Sequence, residues 1–103
     1  MLGLSALNIA IDKKNVEIIK LLLKHSKANI NLQQHRTFRT PLHFAVRTKS
    51  VAIVQSLLEH KPQLNIRDLD GNSALHLAAE AELVDIFELL LKAGSNPMLL
   101  NHR

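Results

Sequence analysis

The sequence has 103 residues, of which 47% are hydrophobic and 3% aromatic, with a formal net charge of +4 and no cysteine. This size fits one domain with an aliphatic core, and the lack of cysteine excludes disulfides, thiolate metal sites and cysteine nucleophiles. No apolar run approaches the roughly 18 residues that span a bilayer, and no secretory signal is present, so we expect no membrane insertion and an intracellular location, cytoplasmic or nuclear.

One sequence unit occurs three times along the chain. Residues 5–10 align with 40–45 and 73–78, at offsets of 35 and then 33 residues. A second apolar block follows in each copy, at residues 18–23, 53–58 and 86–91. The separation of the two blocks is constant, since the pair Leu7 and Leu23 and its equivalents are all 16 residues apart. The two extra residues therefore lie in the connection between the first and second copies.

Each copy predicts two short helices. The first begins after a hydroxyl residue, Ser5, Thr40 or Ser73, whose side chain can cap the free N–H groups of the first turn. Pro41 follows Thr40 at a first-turn position where proline is tolerated. Apolar residues then recur at helical spacing, as at Leu42, Ala45 and Val46 in one helix and Ile53, Val54, Leu57 and Leu58 in the next.

The Thr-Pro-Leu-His-Phe-Ala sequence at 40–45 and the Ser-Ala-Leu-His-Leu-Ala sequence at 73–78, with a period near 33 residues, resemble ankyrin repeats. The resemblance covers nearly the whole chain, with repeats at about 3–34, 35–67 and 68–100. It implies an all-α fold, an ankyrin-type α-solenoid of three stacked helix-turn-helix repeats joined by hairpin-like loops. The first helices and the loop tips would line the concave side.

The chain departs from the family pattern at several glycine positions. The family's glycine between the two helices is Lys14, Lys49 or Glu82, and positive φ at each would cost about 1 kcal/mol. The loop glycine, kept as Gly71, is Phe38 in the middle copy, next to an inserted residue. The conformation of this longer loop is left open.

Neither end of the stack has the polar outer face that a terminal repeat needs. Leu2 and Leu4 precede the first helix, and residues 98–100 are Met-Leu-Leu. We therefore expect that residues 1–103 form a single ankyrin repeat domain that is a fragment of a longer array or multidomain protein. The alternative is self-association through the exposed end.

The polar residues predict neither catalysis nor a metal or cofactor site. None of the six histidines forms a pair at i, i+3 or i+4 with another. By the resemblance, His43 and His76 hydrogen-bond the capping hydroxyl and the loop backbone. A nucleophile elbow and a phosphate-binding glycine loop are also missing from the sequence, so we do not expect an enzyme.

The resemblance places the partner-facing residues on the loop tips and near the ends of the first helices. These candidates are Arg36, Thr37, Arg39, Arg47 and Thr48 in the middle copy, Leu69, Asp70, Asn72, Glu80 and Ala81 in the last, and Leu2, Leu4, Asp12 and Lys13 in the first. The three arginines are expected to form one basic patch for an acidic or phosphorylated segment, opposite an acidic patch at Asp70 and Glu80. Phe38 either tucks under its loop or stands out as an apolar anchor.

The resemblance thus implies a non-catalytic protein–protein interaction module, a scaffold, adaptor or inhibitor that binds its partner through the concave face and loop tips. Adjacent repeats or domains of a longer protein are further expected partners. The alternative is that the basic middle repeat binds nucleic acid or another anionic ligand. A nucleic-acid partner is less favoured because the chain lacks a recognition helix and stacking aromatics, and because the third repeat is acidic.

Overall fold

The computed structural model describes residues 6–25 and 30–98, and these residues form six helices and no strands. The helices are α1 (Ala6–Asp12), α2 (Val16–His25), α3 (Pro41–Arg47), α4 (Val51–Leu58), α5 (Ala74–Glu80) and α6 (Val84–Ala93). They pair as unit 1 (α1 and α2), unit 2 (α3 and α4) and unit 3 (α5 and α6), as the repeat predicts. Among the described residues, no helix is both long and apolar enough to cross a membrane. The predicted cap Ser5 and the candidates Leu2 and Leu4 lie outside the described residues.

The first helices of units 2 and 3 begin with the same reciprocal cap. The Thr40 hydroxyl accepts a hydrogen bond from the backbone N–H of His43 (3.4 Å), and His43 Nδ1 accepts one from the N–H of Thr40 (3.0 Å). Ser73 and His76 repeat the arrangement at 3.4 and 3.0 Å. Each cap pairs N–H groups that the helix itself leaves unbonded. The predicted capping role of both hydroxyl residues is confirmed.

The turn between the two helices of every unit passes through the left-handed region. The φ angles are 58° at Lys14, 63° at Lys49 and 59° at Glu82. In unit 3, the residue after Glu82 donates its N–H to the carbonyl of Ala78 (2.9 Å), which closes the end of α5. The positive φ on which the expected cost depended is therefore present at all three positions, and each side chain there adds steric strain.

The units stack in two layers, with α1, α3 and α5 in one and α2, α4 and α6 in the other. Unit 2 lies between its neighbours, so its apolar residues are the most completely buried. Ile53, Val54 and Leu57 of α4 are all 0% exposed. The core is aliphatic and runs through all three units, as the composition predicts.

Asparagine side chains form hydrogen bonds between the loops of successive units. Asn31 Oδ1 accepts the backbone N–H of Gln63 (2.7 Å), and Asn65 Oδ1 accepts that of Asn96 (3.1 Å). The two contacts repeat with the period of the units. They pair loop N–H groups that the helices leave without a partner and fix the spacing of the stack.

Candidate functional site

The loop before unit 3 is built around the side chain of Asp68. Asp68 is 5% exposed, and its Oδ1 accepts the backbone N–H groups of Asp70 (3.0 Å) and Asn72 (2.9 Å). The loop is closed by a bond from Asp68 N–H to the Asn72 carbonyl (2.9 Å), and Gly71 within it has φ 83°. The Asp68 carboxylate is therefore part of the framework of this turn.

The longer loop before unit 2 reaches a similar closure with different residues. Gln34 takes the place of Asp68: its Oε1 accepts the N–H groups of Arg36 and Thr37, both at 2.8 Å. The loop closes by a bond from Gln34 N–H to the carbonyl of Arg39 (2.8 Å). This loop is one residue longer than the Asp68 loop, and the glutamine side chain is one methylene longer than aspartate. The inserted residue of this loop thus lies between Gln34 and Arg39.

Phe38 takes the left-handed position in this loop, with φ 58°, where the third loop has glycine. The residue is 45% exposed. Of the two alternatives for its side chain, the structure therefore shows the exposed one. The loop tip is also linked to its neighbour, because the N–H of Leu69 donates to the carbonyl of Thr37 (2.8 Å). Leu69 itself is 62% exposed, so two apolar side chains project from adjacent loop tips.

Arg39 joins the two loops through an ion pair. Its Nε lies 3.5 Å from Oδ2 of Asp68, and the two side chains are 21% and 1% exposed. The carboxylate is almost fully buried, so it has lost most of its hydration and depends on its loop N–H groups and on Arg39. Arg39 therefore has a structural role that the sequence did not indicate.

His43 connects the α3 cap to the next loop. Its Nδ1 accepts the Thr40 N–H, so Nε2 carries the proton and donates to the carbonyl of Asn72 (2.7 Å). Burial lowers the pKa of His43, against the opposing effects of the Asn72 carbonyl and the Asp68 charge. His43 thus stands as the neutral imidazole. Its predicted bonds to the cap and to the loop backbone are confirmed.

A groove between α3 and α5 brings several of the candidates together. Its volume is about 300 Å³, and it is lined by Arg39, Val46, Arg47, Lys49, Leu77, Glu80, Ala81 and Leu83. Three cations and one carboxylate thus surround an apolar floor. Arg47 is exposed and has no ion pair with another described residue. Glu80 lies in the same groove as the arginines rather than on an opposite patch.

The remaining candidates lie outside this groove. Arg36 and Asp70 are exposed on the loops, whereas Thr37 is half-buried. The Thr48 hydroxyl donates to the carbonyl of Ala45 (2.6 Å) at the end of α3. Asn72 is 4% exposed and belongs to the loop framework, so it is not accessible to a partner here.

A second, smaller cavity lies between α1 and α3. Its volume is about 180 Å³, and it is lined by Asp12, Lys14, Phe44, Arg47 and Thr48. The candidates Asp12 and Thr48 meet here, while Lys13 is exposed. Arg47 lines both cavities and is the residue that they share.

Lys49 and the apolar floor of the groove were not predicted from the sequence. The sequence identified Lys49 only as a replacement for glycine and Val46 and Leu77 only as apolar residues of the repeat, and it did not indicate Leu83. The signal that could have placed Lys49 in the groove is its position in the turn directly after α3, two residues after Arg47. Within the described residues, no cluster of three or more histidine, cysteine or acidic side chains could hold a metal ion.

The chain was compared with known families and proteins. A family model for ankyrin repeats in three copies matches residues 7–101. The nuclear factor NF-kappa-B p105 subunit of Rattus norvegicus is 35% identical over 104 residues, which cover 97% of this chain and 11% of that protein. The putative ankyrin repeat protein YahD of Escherichia coli (strain K12) is 37% identical over 91 residues, or 84% of this chain and 45% of that protein.

The fold is also that of a solved structure. The crystal structure of the ankyrin repeat domain of Bcl-3, described as a unique member of the IkappaB protein family, matches with a TM-score of 0.89 at 34% identity. The match covers 96% of this chain and 43% of that chain. The chain therefore spans less than half the length of each of these relatives.

Proposed function

Because this chain belongs to the ankyrin repeat family, we propose that it is a non-catalytic module that binds another protein through the groove between α3 and α5. The partner contributes an acidic or phosphorylated segment, and the chain acts as a scaffold, adaptor or inhibitor. One observation carries this proposal: Arg39, Arg47 and Lys49 surround an apolar floor in a single groove. The groove is lined by residues of α3 and α5, the first helices of their units, and the resemblance assigns binding to the side that the first helices line.

The chemistry of the groove favours a particular kind of segment. Apolar side chains of the partner can cover Leu77 and Leu83, and this excludes water from the guanidinium of Arg47. An arginine in such a place binds a carboxylate or phosphate through two parallel hydrogen bonds. Glu80 repels an acidic group at its own side of the groove, so the segment carries its negative charge towards α3.

Arg47 is the residue to test, because Arg39 also holds the buried Asp68. A peptide library displayed on phage and selected on the parent chain should yield acidic peptides. Arg47→Glu should bind these peptides at least about 10-fold more weakly, a loss of about 1.4 kcal/mol. The matched control is Lys24→Glu, an exposed charge reversal on α2, which should keep the parent's affinity.

Two results would contradict the proposal. One is a set of selected peptides without acidic enrichment, and the other is an unchanged affinity of Arg47→Glu at an unchanged melting temperature. Titration with duplex DNA tests the anionic-ligand alternative. Such binding would weaken steeply with salt, and it would be lost in both charge-reversal variants if it depended on general positive charge.

A further inference from the structure

The contact between units 2 and 3 shows which residues one unit presents to the next. Val51 of unit 2 and Ile86 of unit 3 line one small cavity, together with Lys49, Leu83 and their neighbours. Ile86 is 2% exposed there. The isoleucine near the start of the second helix thus faces the same cavity as the valine at the equivalent helix start in the preceding unit.

The repeat places the same two residues at the ends of the stack, where no described unit covers them. Ile18 of unit 1 is equivalent to Ile86 and to Ile53, yet it is 46% exposed, whereas Ile53 is 0% exposed. Val84 of unit 3 is equivalent to Val51 and is 67% exposed, compared with 37% for Val51. Each end therefore presents one half of the contact that joins the units.

Both ends are apolar beyond this pair of residues. The head face, on unit 1, consists of Ile18, Leu21 and Leu22, with Leu21 56% exposed and Leu22 half-buried. The tail face, on unit 3, consists of Ala79, Leu83, Val84 and Phe87, which line a cavity of about 320 Å³ with Ala78 and Glu82. Contact with another molecule would remove these apolar faces from water, which is favourable.

The charges of the two end units are opposite. Residues 3–34 contain five lysines and two acidic residues, whereas residues 68–100 contain six acidic residues and one lysine. Glu82 lines the tail-face cavity, Asp85 and Glu88 are exposed on α6, and Lys20 and Lys24 are exposed on α2 of unit 1. The tail of one chain therefore attracts the head of another and repels a second tail.

We propose that a second copy of this chain stacks its head face on the tail face of the first. Val84 of one copy then lies near Ile18 of the next, as Val51 and Ile86 face one cavity within the chain. This contact is heterologous, because it leaves a free head at one end and a free tail at the other. The assembly is consequently open-ended, and its interface shares Leu83 with the groove between α3 and α5 but none of the groove's cations.

Sedimentation velocity over a range of concentrations tests this interface. The parent should show an average mass that rises with concentration beyond that of a dimer, and the rise should be smaller at high salt. Ile18→Glu removes the head face and Val84→Glu the tail face, so each variant alone should stay monomeric. An equimolar mixture should form a dimer and nothing larger, because only one intact head and one intact tail can meet.

The mixture separates head-to-tail stacking from other modes. If tails paired with tails, Ile18→Glu alone would still dimerise, and that result overturns the proposal. A parent that remains monomeric at the highest soluble concentration also overturns it. Gln55→Glu is the control, because it adds the same charge at an exposed site of unit 2 and should associate as the parent does. Circular dichroism melts confirm that each variant is folded.

Discussion

At the scale of single residues, His43 and Asp68 hold the loop before unit 3 in complementary ways. Asp68 binds the loop N–H groups, and His43 binds the loop carbonyl of Asn72 from the neighbouring unit. The imidazole is 1% exposed, so a proton added to it would place a charge beside the Arg39 guanidinium with little water to solvate it. The folded state thus favours the neutral form of His43, whose pKa burial lowers.

We expect the free energy of unfolding to fall as the pH drops. Burial lowers the pKa of His43 below 6.5 in the folded state, so the unfolded chain takes up this proton first. The stabilisation is complete above pH 6.5 and is lost as the pH falls towards the pKa of the folded state. Urea unfolding between about pH 7.5 and 5.5 measures this loss.

The pH dependence is assigned to His43 by substitution. His43→Gln should lower stability at neutral pH by about 1–3 kcal/mol, since it disturbs buried hydrogen bonds, and its stability should vary less with pH. His60→Gln, at an exposed site, should keep the parent's profile. A His43→Gln profile as steep as the parent's would show that another group is responsible.

At the scale of the helices, the left-handed turns limit the stability of each unit. Lys49 has φ 63°, and glycine adopts this conformation without the steric penalty of a side chain. Lys49→Gly should therefore stabilise the fold by about 0.5–1 kcal/mol, after allowance for the greater freedom of glycine in the unfolded chain. Gln55→Gly, within α4, should instead destabilise by about 1 kcal/mol. Urea unfolding of both variants is the measurement, and equal losses in both would contradict the role of the turn.

The helices and their turns could be predicted from the sequence because they depend on local chemistry. Thr40 and Ser73 cap their helices, and the turn residues occupy fixed places in the repeat. The loop closed by Gln34 could not be predicted, because a longer side chain and an inserted residue change together. The residues that line the groove between α3 and α5 were predicted only in part. The burial of Asn72 depends on how one unit stacks on the next, which no single repeat encodes.

At the scale of the whole molecule, stability depends on contacts between neighbouring units. Leu57 and Leu90 are equivalent, and both are 0% exposed. Truncation of either to alanine should destabilise its surroundings by about 2–5 kcal/mol. The consequences should differ in extent, because unit 2 contacts units on both sides, whereas no described unit lies beyond unit 3.

Hydrogen exchange resolves this difference by position. Leu90→Ala should speed exchange in α5 and α6 most and leave α1 to α4 largely protected, because an end unit can open alone. Leu57→Ala should speed exchange in all six helices, because loss of unit 2 removes the neighbour of each end. The experiment is best run at low protein concentration, where stacking of chains does not cover α6. If Leu90→Ala reduced protection equally in all helices, the three units would unfold only together, and stability would not be a sum over neighbouring units.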